Sequence, residues 1–108
     1  MRIHLIAFGS PYKEFANAHK RFFLNAKEFG CFDNILLFSE KNIYDFCKDL
    51  IPHKTFLSST RGYGCWIWKS FLVSTLMQEI PDNDIICYVD IGCTFNKRAK
   101  ARFHDYIN

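Results

Sequence analysis

The chain is 108 residues long, 49% hydrophobic and 18% aromatic, and carries a net charge of +3. A chain of that length has room for one domain with a single core, spanning 1–108. The aromatic content excludes disorder, and the mild charge does not by itself call for a nucleic-acid partner. No run reaches the roughly 18 apolar residues a membrane span needs. The opening IHLIAF is broken too early by Gly-Ser-Pro to serve as a secretory leader, so a soluble, cytoplasmic protein is expected, free or at the periphery of a membrane. Five cysteines (Cys31, Cys47, Cys65, Cys87, Cys93) without a C-x-x-C pair read as reduced thiols, and no two Cys or His fall at zinc-finger spacing.

In chain order, Ile3 to Phe8 is a short apolar run closed by Gly9-Ser10-Pro11, which predicts an inner strand buried on both faces. From Lys13 to Phe29 the residues Phe15, Ala18, Phe22, Ala26 and Phe29 recur at three and four, an amphipathic helix stopped by Gly30. Asn34 to Phe38 is a second strand. Ser39 then stands as the cap of a helix running through Ile43, Phe46, Cys47, Leu50 and Ile51 to Pro52. The polar stretch from His53 to Gly64 reads as a loop. Trp68, Leu72, Leu76 and Ile80 define one face of a further helix ended by Pro81-Asp82-Asn83, and Ile85 to Val89 is a third strand. Asn96 caps a last basic helix with Phe103, Tyr106 and Ile107 as its apolar side.

Strands alternating with helical crossovers predict an α/β fold in three layers, a mostly parallel sheet with helices on both faces. Ligands in such folds bind beyond the carboxyl ends of the strands. That places Gly9, Ser10 and Tyr12, then Ser39 and Glu40, then Asp90 to Cys93 at the rim. No G-x-G-x-x-G and no phosphate-binding P-loop is present. Asp90 follows the apolar run IICYV directly, a placement that suits either a turn cap or one ligand of a hard divalent cation. Arg61 and Lys69 flank the Gly62-Tyr63-Gly64 turn that opens a helix, where free amides and two cations meet an anion if they converge. Trp66 and Trp68 beside them fit a core equally well, and Tyr12 and Tyr63 are the aromatic rings offered for stacking. The tail 97-KRAKAR-102 reads as a solvated basic face rather than a nucleic-acid contact. Among the cysteines only Cys93 stands near this chemistry, and no catalytic residue is assigned.

Taken together, RGYGCWIWKS at 61–70, the helix SFLVSTLMQEI and then PDNDIICYVDIGC at 81–93 resemble a group of bacterial and viral glycosyltransferases of the GT-A type. Those proteins read R-G-x-G-Y-W-x-W-K-P, a helix, and D-G-D-I-L-x-Y-L-D-A-G-C. The resemblance runs the length of the chain and implies the Rossmann-like, donor-binding half of a GT-A fold. It implies a nucleotide sugar held by Gly9, Ser10, Tyr12, Arg61, Tyr63, Trp68, Lys69, Asp90 and Gly92, and a saccharide acceptor. Asp90 stands where the first acid of a D-x-D motif binds manganese or magnesium. The second acid is absent, since Ile91, Gly92 and Cys93 follow, and Arg61 or Lys69 is then the alternative counter-charge for the diphosphate.

Enzymes of this group continue past that strand with an acceptor-binding segment. The expectation is therefore a truncated transferase that self-associates or completes itself with a missing carboxy-terminal half. The alternative is a catalytically inactive remnant that binds a nucleotide or a partner chain. Beneath both, Asp90, Arg61 and Lys69 are expected to open onto one cleft walled by Trp68 or Tyr63.

Overall fold

The structure, a computed structural model, describes residues 1–9, 16–59 and 67–107. The chain divides into two compact units, one of Met1–Ser39 with Asn83–Asn108 and one of Glu40–Asp82. The first contains a three-stranded parallel sheet: β1 (Ile3–Phe8), β2 (Asn34–Phe38) and β3 (Ile85–Tyr88), in the order β2-β1-β3. The α/β class and the parallel sheet are as the alternation predicted. β1 lies in the centre and is buried almost throughout, whereas β2 and β3 are half-buried edges. That is why IHLIAF reads as a continuous apolar run.

Side chains alternate across a strand, so Leu5 and Ala7 share a face with Ile35, Leu37, Cys87 and Val89. Helix α1 (Ala16–Phe29) lays Ala18, Phe22 and Ala26 on that face, and Ile91 closes the cluster. Gly30 ends α1 at a φ of 75°, and its N–H returns to the Ala26 carbonyl at 3.2 Å. Only a residue without Cβ adopts that backbone at little cost. Beyond it an aromatic cluster extends the core. Phe95 has its ring centroid 5.4, 5.3 and 5.2 Å from those of Phe22, Phe29 and Phe32. Phe103 lies 5.7 and 5.6 Å from Phe29 and Phe32.

Asn96 does cap the last helical segment, its Oδ1 accepting from the Arg98 N–H at 3.0 Å. What it caps is a 3-10 turn, Lys97–Ala99, that leads into the helix Lys100–Ile107. Tyr106, expected on the apolar side, is exposed instead and takes a hydrogen bond from Arg102 Nε at 3.2 Å.

The amino edge of the sheet is fastened by two aspartates. Asp33, just before β2, accepts the Ile3 N–H at 2.8 Å. Asp84, just before β3, accepts the Arg2 N–H at 3.0 Å. The second Asp84 oxygen meets His4 Nε2 at 2.9 Å, with both side chains almost fully buried. Asn34 Nδ2 lies 3.4 Å from the other ring nitrogen.

The second unit is helical and departs further from expectation. In place of one helix capped by Ser39 and ended by Pro52 there is a four-residue turn, α2 (Ile43–Phe46), flanked by Asn42. A 3-10 segment, Lys48–His53, follows with Pro52 inside it. Ile43, Cys47 and Leu50 are buried, as the apolar spacing required, but that spacing suits the tighter winding too. Cys47 breaks the run with φ −117° and ψ 83°, and its Sγ sits 3.1 Å from Thr75 Oγ1 and 3.5 Å from the Phe71 carbonyl. The presumed loop from His53 contains helix α3 (Lys54–Ser59), anchored by the fully buried Leu57. Helix α4 (Trp68–Glu79) buries Trp68, Leu72 and Leu76 at the predicted interval of four.

Candidate functional site

Parallel pairing aligns the carboxyl ends of the three strands. Phe8 is opposite Phe38 and Ile6 is opposite Tyr88, so Gly9, Ser39 and Asp90 all emerge at one edge of the sheet. The Gly9 N–H bonds the Phe38 carbonyl at 2.9 Å and the Val89 N–H bonds the Ile6 carbonyl at 3.1 Å. Pairing therefore continues to the rim on both sides of β1. In the order β2-β1-β3 the chain leaves β1 for a neighbour on one side and returns on the other. The crevice between the carboxyl ends of β1 and β3 is the switch point at which open α/β sheets hold ligands.

Asp90 is exposed at this point. Two residues back, on the same face, Tyr88 makes a side-chain hydrogen bond to it. Half-burial pushes the Tyr88 phenol far above its ordinary range, and the charge of Asp90, the hydrogen bond and Cys93 add to the shift. The phenol therefore stays neutral and donates, which orients the exposed carboxylate.

The segment beyond Asp90 turns at once, the Cys93 N–H returning to the Asp90 carbonyl at 2.9 Å. Gly92 sits within that turn with nothing within 4 Å of where a Cβ would stand. Gly9 differs, because a Cβ there meets His19 Nε2 and Ile91 Cγ2 at 3.1 Å. The side of Gly9 that a Cβ would occupy is filled by the protein itself, whereas the same side of Gly92 is open.

Helix α1 fastens both loops from the side. His19 Nε2 lies 2.7 Å from the Gly9 carbonyl. Arg21 donates to the Ile91 carbonyl at 2.7 Å, to the Cys93 carbonyl at 3.3 Å through both terminal nitrogens, and to Thr94 Oγ1 at 3.2 Å. Asn25 pairs with the backbone of Phe95, accepting its N–H at 2.5 Å and donating to its carbonyl at 3.3 Å. No family model, curated protein or solved structure matches the chain. The site therefore rests on its own geometry.

Of the residues singled out from sequence, Gly9, Asp90 and Gly92 are brought to the same edge. Ser10, Tyr12, Arg61 and Tyr63 lie outside the described residues, and so does the expected convergence of Arg61 on Asp90. Trp68 and Lys69 belong to the helical unit. There Trp68 is only 3% exposed, and Lys69 Nζ stands 5.8 Å from the centre of its ring. Tyr88, Arg21 and Asn25 were not anticipated. The partners of the last two lie 70 residues away in sequence, so no local pattern marked them.

Among the described residues no three His, Cys, Asp or Glu side chains gather as a metal cage. A divalent cation carried by a diphosphate needs only one or two protein carboxylates and takes its other ligands from phosphate and water. One exposed, oriented Asp90 fits that use and does not fit an all-protein site.

Proposed function

We propose that this chain is the donor-binding part of a GT-A-type glycosyltransferase, holding a nucleotide sugar at the carboxyl edge of its sheet for transfer to a saccharide acceptor. The observation that carries the reading is Asp90, an exposed carboxylate at the β1/β3 switch point of a parallel sheet, oriented by Tyr88 and followed by an open glycine turn. The likeness of 61–70 and 81–93 to the glycosyltransferase motifs supplies the donor class. The same likeness marks Arg61 and Lys69 for the diphosphate.

Asp90 would hold a manganese or magnesium ion, which when bound neutralises the departing diphosphate. The chain's own contribution is positional. The turn at Asp90 to Cys93 sets the carboxylate, Gly92 leaves room for the donor, and the neutral Tyr88 hydroxyl keeps Asp90 in one orientation. Folded-state ligands stabilise by mass action, so a thermal-shift screen of nucleoside diphosphates and their sugars, with and without manganese, tests the reading. An upward shift for one nucleotide class, enhanced by manganese and abolished by Asp90→Ala, is expected. A shift unaffected by Asp90→Ala, or none for any nucleotide, overturns it.

A further inference from the structure

We infer that Arg21 is the positioning residue of this site. It acts on the donor through the turn that bears Asp90, not by touching the donor itself. The guanidinium lies against the α1 side of the turn and takes two carbonyls separated by one residue, those of Ile91 and Cys93, together with the Thr94 hydroxyl. Five donors in a rigid planar fork make this possible, and a lysine has only a point charge to offer.

A trans peptide is planar with its N–H opposed to its C=O. Fixing the carbonyls of Ile91 and Cys93 toward Arg21 therefore turns the amides of Gly92 and Thr94 away from α1. The orientation of two peptide planes next to Asp90 is thus decided by one side chain on a neighbouring helix. Asn25 holds the far end of the segment at Phe95, and His19 holds the facing loop at Gly9. One helix accordingly fixes the spacing of both loops that border the switch point, and Arg21 is the member closest in sequence contact to Asp90.

Arg21 is itself exposed and pairs with no strand, so its replacement removes no buried side chain from the sheet. That makes its role separable from folding. The inference rests on the donor reading above, and its test keeps the two apart. Amide hydrogen exchange is followed in wild type, Arg21→Gln and Arg21→Lys, and the affinity for uridine and guanosine diphosphates with manganese is measured calorimetrically well below the melting temperature.

In Arg21→Gln the hydrogen-bonded amides of Cys93 and Phe95 should exchange faster by about tenfold or more while those of Leu5, Ile6 and Ala7 keep their protection. Nucleotide affinity should fall by about ten- to a hundredfold, the usual effect of losing a residue that orients a ligand from behind. Arg21→Lys retains the charge without the fork, and should resemble Arg21→Gln. Full rescue by lysine would show a role of charge alone and overturn the inference. So would unchanged loop exchange, or faster loop exchange with nucleotide affinity intact. A wild-type chain that binds neither nucleotide overturns the donor reading and this role with it, a result distinct from any of the failures seen only in the variants.

Discussion

Asp84 and Asp90 bracket the same strand and are used in opposite ways. Asp84, at the amino edge, is almost fully buried, bonded to His4 and to the Arg2 N–H, and serves to tie β3 to β1. Asp90, at the carboxyl edge, is exposed to solvent and oriented by Tyr88. The amino edge is closed by polar contacts between strands. The carboxyl edge is held from beneath and from the side, by Phe22, Ile91 and Phe95 in the core and by Arg21 and Asn25 at the surface. A carboxylate becomes available for chemistry when its loop is secured by other residues. One that secures the fold itself is already occupied.

The largest effect expected from breaking this division is at Phe22, fully buried between the sheet and the loop that follows Asp90. Phe22→Ala should cost on the order of 3–5 kcal/mol in urea unfolding, because the cavity lies beneath Leu5, Ala7 and Ile91 with little freedom to collapse. A loss under about 1 kcal/mol would show that the carboxyl edge does not depend on that core.

Next comes the pH dependence of Asp84. The His4 hydrogen bond first, and the Arg2 N–H second, hold its carboxyl below the ordinary value of 3.8. A folded-state value below the unfolded one means that the carboxylate stabilises the protein fully above about pH 4, and that this stability is lost as the pH falls through the lowered value. Asp84→Asn should therefore lower the midpoint of unfolding at pH 7 and flatten the acid limb of a stability profile below pH 4. Asp90→Asn should leave the pH 7 midpoint unchanged. If the two substitutions acted alike at pH 7, the contrast between the edges would be false.

The smallest effects separate the two glycines. Gly9→Ala should destabilise by about 1–2 kcal/mol, since the added methyl presses on the His19 ring and on Ile91. Gly92→Ala meets open space and should stay within about 0.5 kcal/mol of wild type while lowering nucleotide affinity. Equal stability losses at both positions, measured in the same denaturant series, would remove Gly92 from the ligand side.

Much of the sheet unit was legible in the sequence. The bounds of β1 and β2 follow from short, mostly apolar runs, the central β1 being buried almost throughout, and α1 follows from its three-and-four spacing. Asp90 was visible because a charge directly after such a run has nowhere to go but the rim.

The helical unit was harder. Ile43, Cys47 and Leu50 satisfy an α-helix and a broken α/3-10 path equally, so periodicity alone did not reveal the break at Cys47. In Lys54–Ser59 the buried Leu57 stands among Lys, Thr and Ser in a segment of six residues, too short for a periodic signal. Asp84 was hidden inside a turn-forming Pro-Asp-Asn-Asp run, and Arg21 looked like any cation on the wet face of an amphipathic helix. In both cases the partner lies more than 69 residues away, at separations of 80 for His4 and 70 for Ile91. Sequence patterns of short range carry no trace of such contacts.

The strand order also has a consequence for the time course of folding. β1 pairs with β2 at a separation of 30 residues, Ile6 with Leu36, but with β3 at 82, Ile6 with Tyr88. Closing the longer flexible loop costs about 0.9 kcal/mol more in chain entropy, and everything between Ser39 and Asn83 must be synthesised before it can close at all. During translation the second side of β1 therefore waits with its peptide groups unpaired while the β1–α1–β2 segment is already complete. The strand that delivers Asp90 is the last of the three to arrive, so the ligand edge is finished only when the sheet is.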